Sequence, residues 1–326
     1  MKRHLKNIMA VALVVGVSVN TTAFAFGNTK EKNSSQYSTG VVVEPAEIVT
    51  EAPSVQPTTV VKTIEEPIVR VLSVAPDAEC VTKDDIFHMM LNTVDYFNKA
   101  SGTFIFNCSD PNNRTIVDFR TNMLDTTSYS EVKHIYVDGL STPISMNSES
   151  VTADQIVYCQ NNDQITLNEE NKTYNISSFS THSLESCVPI KDEDRITIAP
   201  DGMPCYSYRS NPTNVEFSSM CLFPQEITIG FLEDRELWEI EGIKEFSGLN
   251  CYVIHGKTSE DYGAKLNVAE FEFLVDVNTG VLVRYEGFDA NGNLSDFMYT
   301  ENLKFDGSAE SVEKYSDKLV EGYSVG

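Results

Sequence analysis

The side chains most often used in catalysis are scattered through this sequence rather than grouped as chemistry requires. His88, His134, His182 and His255 stand far apart, and none falls in a His-Glu-x-x-His motif that would bind zinc on a helix. The chain also lacks a Gly-x-Ser-x-Gly nucleophile elbow and a glycine-rich phosphate loop. These absences argue against a metallohydrolase, a serine hydrolase and a nucleotide-dependent enzyme. The sequence therefore predicts a protein that is not an enzyme and that needs no cofactor and no metal.

Acidic side chains provide the remaining candidates for chemistry. Asp192, Glu193 and Asp194 are consecutive, and neighbours on a strand point to opposite faces, so a charged loop is a simpler interpretation than a catalytic carboxylate pair or a cation site. The turn at 289–296 offers several side-chain oxygens to calcium, but Gly292 comes two positions too early for an EF-hand loop and no glutamate closes the series. A cell-surface hydrolase built on an acidic pair is thus the weakest of the alternatives.

The chain has seven cysteines, and neither a Cys-x-x-Cys pair nor a nearby histidine indicates a zinc site. Cys205 and Cys221 flank a segment that contains proline and asparagine, and we predict a disulfide between them. Cys251 lies in the middle of a predicted strand, where a buried free thiol is the expected state. The odd number leaves at least one cysteine unpaired in a monomer.

The N-terminus has the pattern of an export signal. Basic residues precede an apolar run at 8–19, and Ala23-Phe24-Ala25 follows as a small-x-small cleavage site. The run is shorter than the ~20 apolar residues of a comfortable membrane span. We therefore predict a signal peptide at 1–25 and a secreted or cell-envelope protein without stable membrane insertion; a retained N-terminal anchor is the alternative.

Charge restricts the partners of this protein. The sequence has 24 Lys and Arg against 48 Asp and Glu, which gives a net charge of −24. Such a surface repels nucleic acids and anionic lipid headgroups, so a role at a membrane would need neutral lipids, a cation bridge or a basic partner. Nucleic acid is therefore excluded from the expected partners.

Two segments are set apart from the folded region by composition. Residues 26–79 are rich in proline, serine, threonine, glutamate and valine and poor in aromatic residues. This composition is typical of a disordered or extended linker. Residues 308–326 are polar and form a predicted C-terminal tail, so the predicted domain spans residues 80–307.

The predicted domain begins with an amphipathic helix. Thr82 resembles an N-cap with an acidic third residue, and Phe87, Met90, Val94 and Phe97 recur at helical spacing as far as Lys99. Gly102 marks the end of this helix, and residues 103–106 begin the first strand. Further short strands are predicted at 115–120, 132–137, 155–159, 164–167 and 174–179, and a second short helix at 212–221.

Residues 232–305 are predicted to form consecutive antiparallel strands. Phe271, Phe273 and Val275 fall on one side and acidic residues on the other, with Leu274 the one exception, which is the period of a half-buried strand. Asn278-Thr279-Gly280 then reverses the chain, with Gly280 at a positive φ, and Trp238 opens an earlier strand with a buried side chain. We predict a mainly β (α+β) domain: one curled antiparallel sheet or half-barrel of about ten strands, with both helices packed in its concave face.

The sequence motifs of this region resemble the C-terminal half of the LolA/RseB-like superfamily of lipoprotein carriers and sigma-factor regulators. They are Gly-Leu-Asn-Cys-Tyr-Val-Ile-His-Gly at 248–256, Phe-x-Phe-x-Val-Asp at 271–276, and Asn-Thr-Gly-Val-Leu-Val-Arg-Tyr-Glu at 278–286. The resemblance implies an antiparallel half-barrel curled around helices. It also implies a concave apolar face that holds acyl chains or hydrophobic peptide segments.

From this resemblance we expect an exported binding protein that holds a lipid, an acyl-protein or an apolar peptide in a half-barrel cavity. The expected cavity residues are Phe87, Met90, Val94, Phe97, Trp238, Phe271, Phe273 and Val275. The alternative is a regulator of an envelope-stress or sigma-factor pathway that acts through protein contacts at the rim. The expected partner is accordingly a hydrophobic small molecule, a lipidated protein, or an envelope or regulatory protein. A helix that leaves part of the concavity open would favour the carrier, and we expect this open form.

Overall fold

The computed structural model describes residues 70–107, 113–136, 153–178 and 182–326. The predicted signal peptide and the linker as far as residue 69 lie outside the described residues. Among the helices of the described ranges, none has both the length and the apolar character needed to cross a membrane.

Strands dominate the described chain. In chain order they are β1 (Lys99–Phe106), β2 (Asn113–Asn122), β3 (Thr127–Tyr136), β4 (Gln155–Gln160), β5 (Asp163–Asn168), β6 (Thr173–Ser178), β7 (Ile196–Ile198), β8 (Pro204–Tyr206), β9 (Trp238–Phe246), β10 (Leu249–Lys257), β11 (Glu270–Asp276), β12 (Leu282–Phe288), β13 (Leu294–Phe305) and β14 (Ser324–Val325).

Twelve of these strands form one sheet, in the order β14-β6-β5-β4-β3-β2-β1-β13-β12-β11-β10-β9. Each pair is antiparallel except β14 and β6, which run parallel. The pairing of β1 with β13 joins the two meanders in the middle of the sheet. The sheet curls without closing, and the predicted mainly β half-barrel architecture is confirmed. Strands β7 and β8 form a separate small hairpin.

Within the described residues, five α-helices accompany the sheet. They are α1 (Lys83–Leu91), α2 (Asp192–Arg195), α3 (Ser219–Leu222), α4 (Gln225–Leu232) and α5 (Glu260–Leu266). At the start of α1 the predicted cap is present as a capping box, in which Asp85 N–H donates to Thr82 Oγ1 over 3.1 Å and Thr82 N–H donates to Asp85 Oδ2 over 2.9 Å. The second helix predicted at 212–221 lies later in the chain, as α3 and α4.

The first helix is shorter than its sequence pattern predicts. It ends at Leu91, and Val94 lies in a 3-10 turn rather than on the helix. At this end the backbone N–H of Asn92 bonds Met89 O, and Asn92 Nδ2 donates to His88 O over 2.9 Å, the carbonyl that a longer helix would pair with that N–H. Thr93 Oγ1 then donates to Leu222 O over 2.6 Å in the core. Strand β1 consequently starts at Lys99, and Gly102 lies inside it rather than at a helix end. A Cβ at Gly102 would come within 3.1 Å of Leu303 Cα, so glycine permits this close strand approach.

The main core lies between the concave face of the sheet and helices α1, α3 and α4. Its centre is Phe231 of α4, whose ring meets Phe271, Phe273 and Tyr285 edge to face at centroid distances of 4.9, 5.2 and 5.3 Å. Each such pair adds about 0.5–1.5 kcal/mol beyond the burial of its area. Trp238 is buried as predicted, and its Nε1–H donates to Leu232 O over 3.2 Å.

A second core covers the other half of the sheet, and residues 308–326 contribute to it. Tyr129, Tyr158, Ile165 and Leu167 form its buried part, against which Val312, Tyr315, Leu319, Val320 and Tyr323 pack. Tyr315 N–H donates to Gln160 Oε1 over 3.0 Å, and Gln160 Nε2 donates back to Tyr315 O over 3.2 Å. The segment predicted as a polar tail therefore lies against the sheet and supplies its edge strand β14.

Gly280 has the positive φ that the turn chemistry predicts, at +72°. A Cβ at this position would also lie 2.8 Å from the backbone carbonyl of Met89, whereas Gly292, with a φ of +78°, has nothing within 4 Å.

We expect Gly280→Val to lower the free energy of unfolding by on the order of 3 kcal/mol or more, from strain plus overlap. Gly292→Val introduces the backbone strain alone and should lower the free energy of unfolding by about 1 kcal/mol. Urea denaturation of both variants tests this, and equal losses would contradict the contact with α1.

Candidate functional site

The eight residues predicted to line a cavity are together, but in the interior of the main core. They are Phe87, Met90, Val94, Phe97, Trp238, Phe271, Phe273 and Val275, with exposures of 6% or less. Helices α1 and α4 cover them, so the open concavity expected from the resemblance is not present at these side chains. Of the predicted helices, only the first contributed residues to the predicted cavity, whereas α4 adds Phe231 to this space.

An open groove of about 860 Å³ lies on the other side of α4. We call it the outer groove. Its walls are the β8 region, α4 and α5, and the residues lining it are Met203, Pro204, Tyr206, Tyr208, Glu226, Ile229, Gly230, Phe231, Glu233, Asp234, Leu237, Ser259, Asp261, Tyr262 and Lys265. None of these residues was a predicted site residue.

The β7–β8 hairpin forms the outer wall of this groove, and a buried arginine holds it in place. Arg209, just after β8, makes a two-pronged ion pair with Asp95: Nη1 to Oδ2 and Nη2 to Oδ1 are both 2.7 Å. Its Nε–H also donates to Cys187 O over 2.7 Å. Charge-assisted pairs of this geometry are strong and directional. The hairpin is thereby fixed to the segment that follows α1.

A second arginine connects the hairpin to α4. Arg195 precedes β7 directly, and its Nη1 donates to Gln225 Oε1 over 3.0 Å. The same Gln225 oxygen accepts the Arg209 backbone N–H over 2.8 Å, and Gln225 Nε2 donates to Arg209 O over 2.8 Å. Asn92 Oδ1 accepts from Arg195 over 3.1 Å and from Arg209 over 3.3 Å. We call Asn92, Asp95, Arg195, Arg209 and Gln225 the arginine network.

The surface of the hairpin is unusually apolar. Ile198 and Met203 are 68% and 60% exposed, and Tyr206 and Tyr208 are also exposed. Met203 and both tyrosines line the outer groove, while Ile198 extends the apolar surface along β7. Exposed apolar side chains that cluster around a concavity are typical of a binding surface.

The groove is also acidic. Glu226, Glu233, Asp234 and Asp261 line it, and Lys265 is its one basic lining residue. Desolvation by the surrounding side chains raises the pKa of Glu226. Desolvation, followed by the charge of Glu226, raises the pKa of Tyr208 and of Tyr262 as well. These hydroxyls consequently stay protonated near neutral pH and keep a donor for hydrogen bonding.

Tyr262 stands between the outer groove and a small apolar pocket. Its ring lies against Gly230, where a Cβ would be 2.2 Å from Tyr262 Cζ, and it meets Phe231 edge to face at 5.1 Å. Glycine at position 230 therefore makes room for the ring. Behind it lies a pocket of about 90 Å³, which we call the inner pocket, lined by Phe106, Asn107, Met220, Ile227, Phe231, Tyr262, Leu266, Tyr285, Asp296, Phe297 and Met298.

The inner pocket has two polar groups among its apolar walls. Tyr285 is 4% exposed, and its hydroxyl lies beside the Asp296 carboxyl. A Cβ on Gly287 would lie 2.5 Å from that hydroxyl, so the neighbouring glycine provides its space. Burial raises the pKa of Asp296 to about 6, an effect that the Phe297 backbone N–H opposes.

The other residues singled out in the sequence do not form chemical sites. Residues 192–194 begin the short helix α2, in which Glu193 lies 3.6 Å from Lys191 on an exposed surface. Asp289 stabilises its own turn, because its Oδ1 accepts the backbone N–H of Asn291 over 2.8 Å and of Asn293 over 2.9 Å. These bonds lower the pKa of Asp289 and use the oxygens that a cation would need.

The predicted disulfide between Cys205 and Cys221 is wrong, since both cysteines are free. Cys221 is fully buried in the core, where its Sγ lies 3.1 Å from Ser218 O, whereas Cys205 is half-buried on β8. The two therefore belong to different layers of the structure. Cys251 is buried and free, as predicted, and burial raises the pKa of its thiol to about 12.

No protein-family model matches this chain. No curated protein matches its sequence. Solved structures do match in fold. One is the complex of Pseudomonas aeruginosa MucA and MucB, at 10% identity over 73% of this chain and 60% of that chain, with a TM-score of 0.34.

Two mycobacterial structures match in the same way. LprF from Mycobacterium bovis has 11% identity over 72% of this chain and 100% of that chain, with a TM-score of 0.34. The Mycobacterium tuberculosis lipoprotein LppX has 9% identity over 71% of this chain and 99% of that chain, with a TM-score of 0.33. At these identities and TM-scores they say nothing about what this chain binds.

The arginine network should be essential to the position of the hairpin. Arg209→Ala removes both bonds to Asp95 and leaves buried acceptors without a donor, so we expect a loss of about 3–5 kcal/mol in the free energy of unfolding. Arg120→Ala is the matched control, because Arg120 makes a more exposed pair with Glu310 at 2.9 Å. Arg120→Ala should lower the free energy of unfolding by less than about 1 kcal/mol. Similar losses in the two variants, measured by urea denaturation, would contradict this role.

Asp296 should make the stability of the protein depend on pH. Its raised pKa means that the folded state binds the proton more tightly than the unfolded state, so its contribution is lost as pH rises through about 6. The free energy of unfolding of Asp296→Asn, relative to that of the wild type, should therefore rise by on the order of 1–3 kcal/mol from about pH 4.5 to about pH 8.

Asp289→Asn is the control for this experiment, because its lowered pKa keeps Asp289 ionised across the same range. The stability of Asp289→Asn relative to the wild type should not change with pH across this range. Denaturation curves at both pH values measure the effect, and a pH-independent difference for Asp296→Asn would contradict the burial of its carboxyl.

Proposed function

We propose that this protein is an exported, non-enzymatic binding protein that holds a hydrophobic ligand or partner segment in the outer groove. The observation that carries the proposal is the set of exposed apolar side chains, Met203, Tyr206 and Tyr208, on one wall of a concavity of about 860 Å³. That volume is within the range of about 300–1,000 Å³ that is typical of ligand sites. Export is proposed from the signal pattern of residues 1–25.

The outer groove is a better candidate than the concave face of the sheet. Phe231 and α1 already occupy the concave face, and emptying it would expose Phe271 and Phe273, which are fully buried. Natural cores rarely leave such space unfilled, because side chains that border a void have no atoms on that side to attract them. The outer groove, by contrast, needs no rearrangement before a ligand enters.

A regulator that acts through protein contacts remains a second candidate, and one observation favours it. The apolar surface of the hairpin extends past the groove to Ile198, which is 68% exposed. A small ligand enclosed by the groove would leave that side chain in water, whereas a protein partner lying across the hairpin would cover it. The two candidates therefore share a surface and differ in the size of what it binds.

A neutral hydrophobic dye tests the proposal without bias from charge. We expect N-phenyl-1-naphthylamine to bind saturably, with a rise in its fluorescence, and Met203→Glu to weaken this binding about tenfold by placing a charge on the apolar wall. Ile243→Glu is the matched control, since Ile243 is also exposed, at 50%, but lies on β9 away from the groove lining. It should leave dye binding unchanged.

The folded state of both variants is checked by circular dichroism. Absence of saturable dye binding by the intact protein would contradict the proposed function. Equal weakening in the two variants would assign the binding to general surface hydrophobicity and would contradict the groove as its site.

A further inference from the structure

The carboxylates of the outer groove lack partners of opposite charge. Glu226, Glu233, Asp234 and Asp261 line the groove, and within the described residues none of them forms an ion pair. Lys265 is the single basic residue of the lining, so the groove has an excess of negative charge. Elsewhere in the described chain several acidic residues do pair, as Asp95 does with Arg209. The groove therefore attracts a cation that the chain itself does not supply.

The aromatic residues of the groove suit the same kind of ligand. Tyr206, Tyr208 and Tyr262 lie among the carboxylates, and the face of an aromatic ring attracts an ammonium or guanidinium group. The methylene groups of a lysine or arginine side chain also pack well on such rings. A lining that contains both rings and carboxylates thus fits a chain that carries both apolar and basic groups.

The inner pocket adds one more acidic group behind the groove wall. The Asp296 carboxyl lies beside the Tyr285 hydroxyl there and forms no ion pair with a lysine or arginine of the described residues. Phe231 and Tyr262 line both this pocket and the groove, so this carboxyl lies directly behind the groove wall.

We propose that the outer groove binds a protein segment in which basic and apolar residues alternate, that is, a cationic amphipathic peptide. This inference rests on the proposed function and names the chemistry of the partner. A protein segment fits better than a compact molecule, because the exposed apolar surface continues along β7 to Ile198 beyond the groove. A fatty acid is disfavoured, since its carboxylate would meet four like charges.

The net charge of −24 favours the encounter as well. A strongly acidic protein attracts basic partners from a distance, and this steering weakens as salt is added. Long-range attraction alone does not choose a site, however. The carboxylates in the groove do, because they lie beside the apolar rim that a partner would bury.

The test compares three synthetic peptides with the same leucine positions and with lysine, glutamine or glutamate at the other positions. Isothermal titration calorimetry with the whole protein should show binding of the lysine peptide, about tenfold weaker binding of the glutamine peptide, and none of the glutamate peptide. Raising NaCl from about 50 mM to about 500 mM should weaken the binding of the lysine peptide more than that of the other peptides.

Two charge-neutralising double variants locate the binding. Glu233→Gln with Asp261→Asn removes two charges from the groove and should weaken binding of the lysine peptide about fivefold. Glu241→Gln with Glu245→Gln removes the same charge from the exposed strand β9, outside the groove lining, and should have no more than a small effect. Both pairs are on the surface, so neither should unfold the protein.

The possible results separate this inference from the proposed function. Dye binding at the groove without a preference for the lysine peptide would overturn the inference and leave the proposed function standing. Equal weakening by the two double variants would also overturn it, because the attraction would then come from overall charge. Failure of both dye and peptide to bind would overturn the two together.

Discussion

The packing of Phe231 against the concave face determines what the rest of the molecule can do. A curled sheet with an apolar inner face must be covered, and here α4 places one aromatic ring among Phe271, Phe273 and Tyr285. Because close packing leaves little unused volume, this contact closes the interior to any large ligand. The same helix then presents its opposite side to solvent, so a binding surface arises outside the half-barrel rather than within it.

The arginine network gives that outer surface a fixed shape. Burying two arginines has a high desolvation cost, and such groups contribute little net stability compared with apolar residues of similar size. What they contribute is a defined orientation of the hairpin. Arg209 bonds Asp95 through two contacts of 2.7 Å, and Gln225 accepts the backbone N–H of Arg209. A hairpin of two three-residue strands has no core of its own and would be marginal if isolated. The network thus allows a small element to carry exposed apolar side chains in a defined place.

Sequence reasoning succeeded where a local pattern determines the structure. The turn at Gly280 depends on neighbours in the chain and has the predicted positive φ. Strand β11 alternates in burial only at its start, because its residues from Phe273 to Asp276 are all buried. The end of α1 was missed because the apolar spacing continues past Leu91, whereas Asn92 ends the helix through its bonds to Met89 O and His88 O. The disulfide was wrong for a related reason, since spacing gives no sign that Cys221 is buried in the core.

The groove was missed because its walls lack periodicity. Met203 and Tyr206 lie in a proline-containing stretch that interrupts the strand pattern, and only tertiary contacts bring them beside Glu226 and Tyr262. One signal was available: Met203, Tyr206 and Tyr208 are apolar or aromatic residues in a segment that otherwise resembles a loop. Large apolar residues within an irregular segment are a reason to look for a binding surface there.

The two edges of the twelve-stranded sheet are protected in different ways. At one edge, β14 adds a short parallel strand to β6, so Ser324 and Val325 occupy backbone groups that would otherwise recruit a strand from another molecule. At the other edge, β9 is long but irregular: Gly242 has a φ of +146°, the register with β10 shifts nearby, and Glu239, Glu241 and Glu245 are exposed. Kinks and like charges oppose the growth of a sheet from one copy to the next. The short strand β14 and the irregular, acidic strand β9 therefore give a second copy of this chain little backbone with which to pair at either edge.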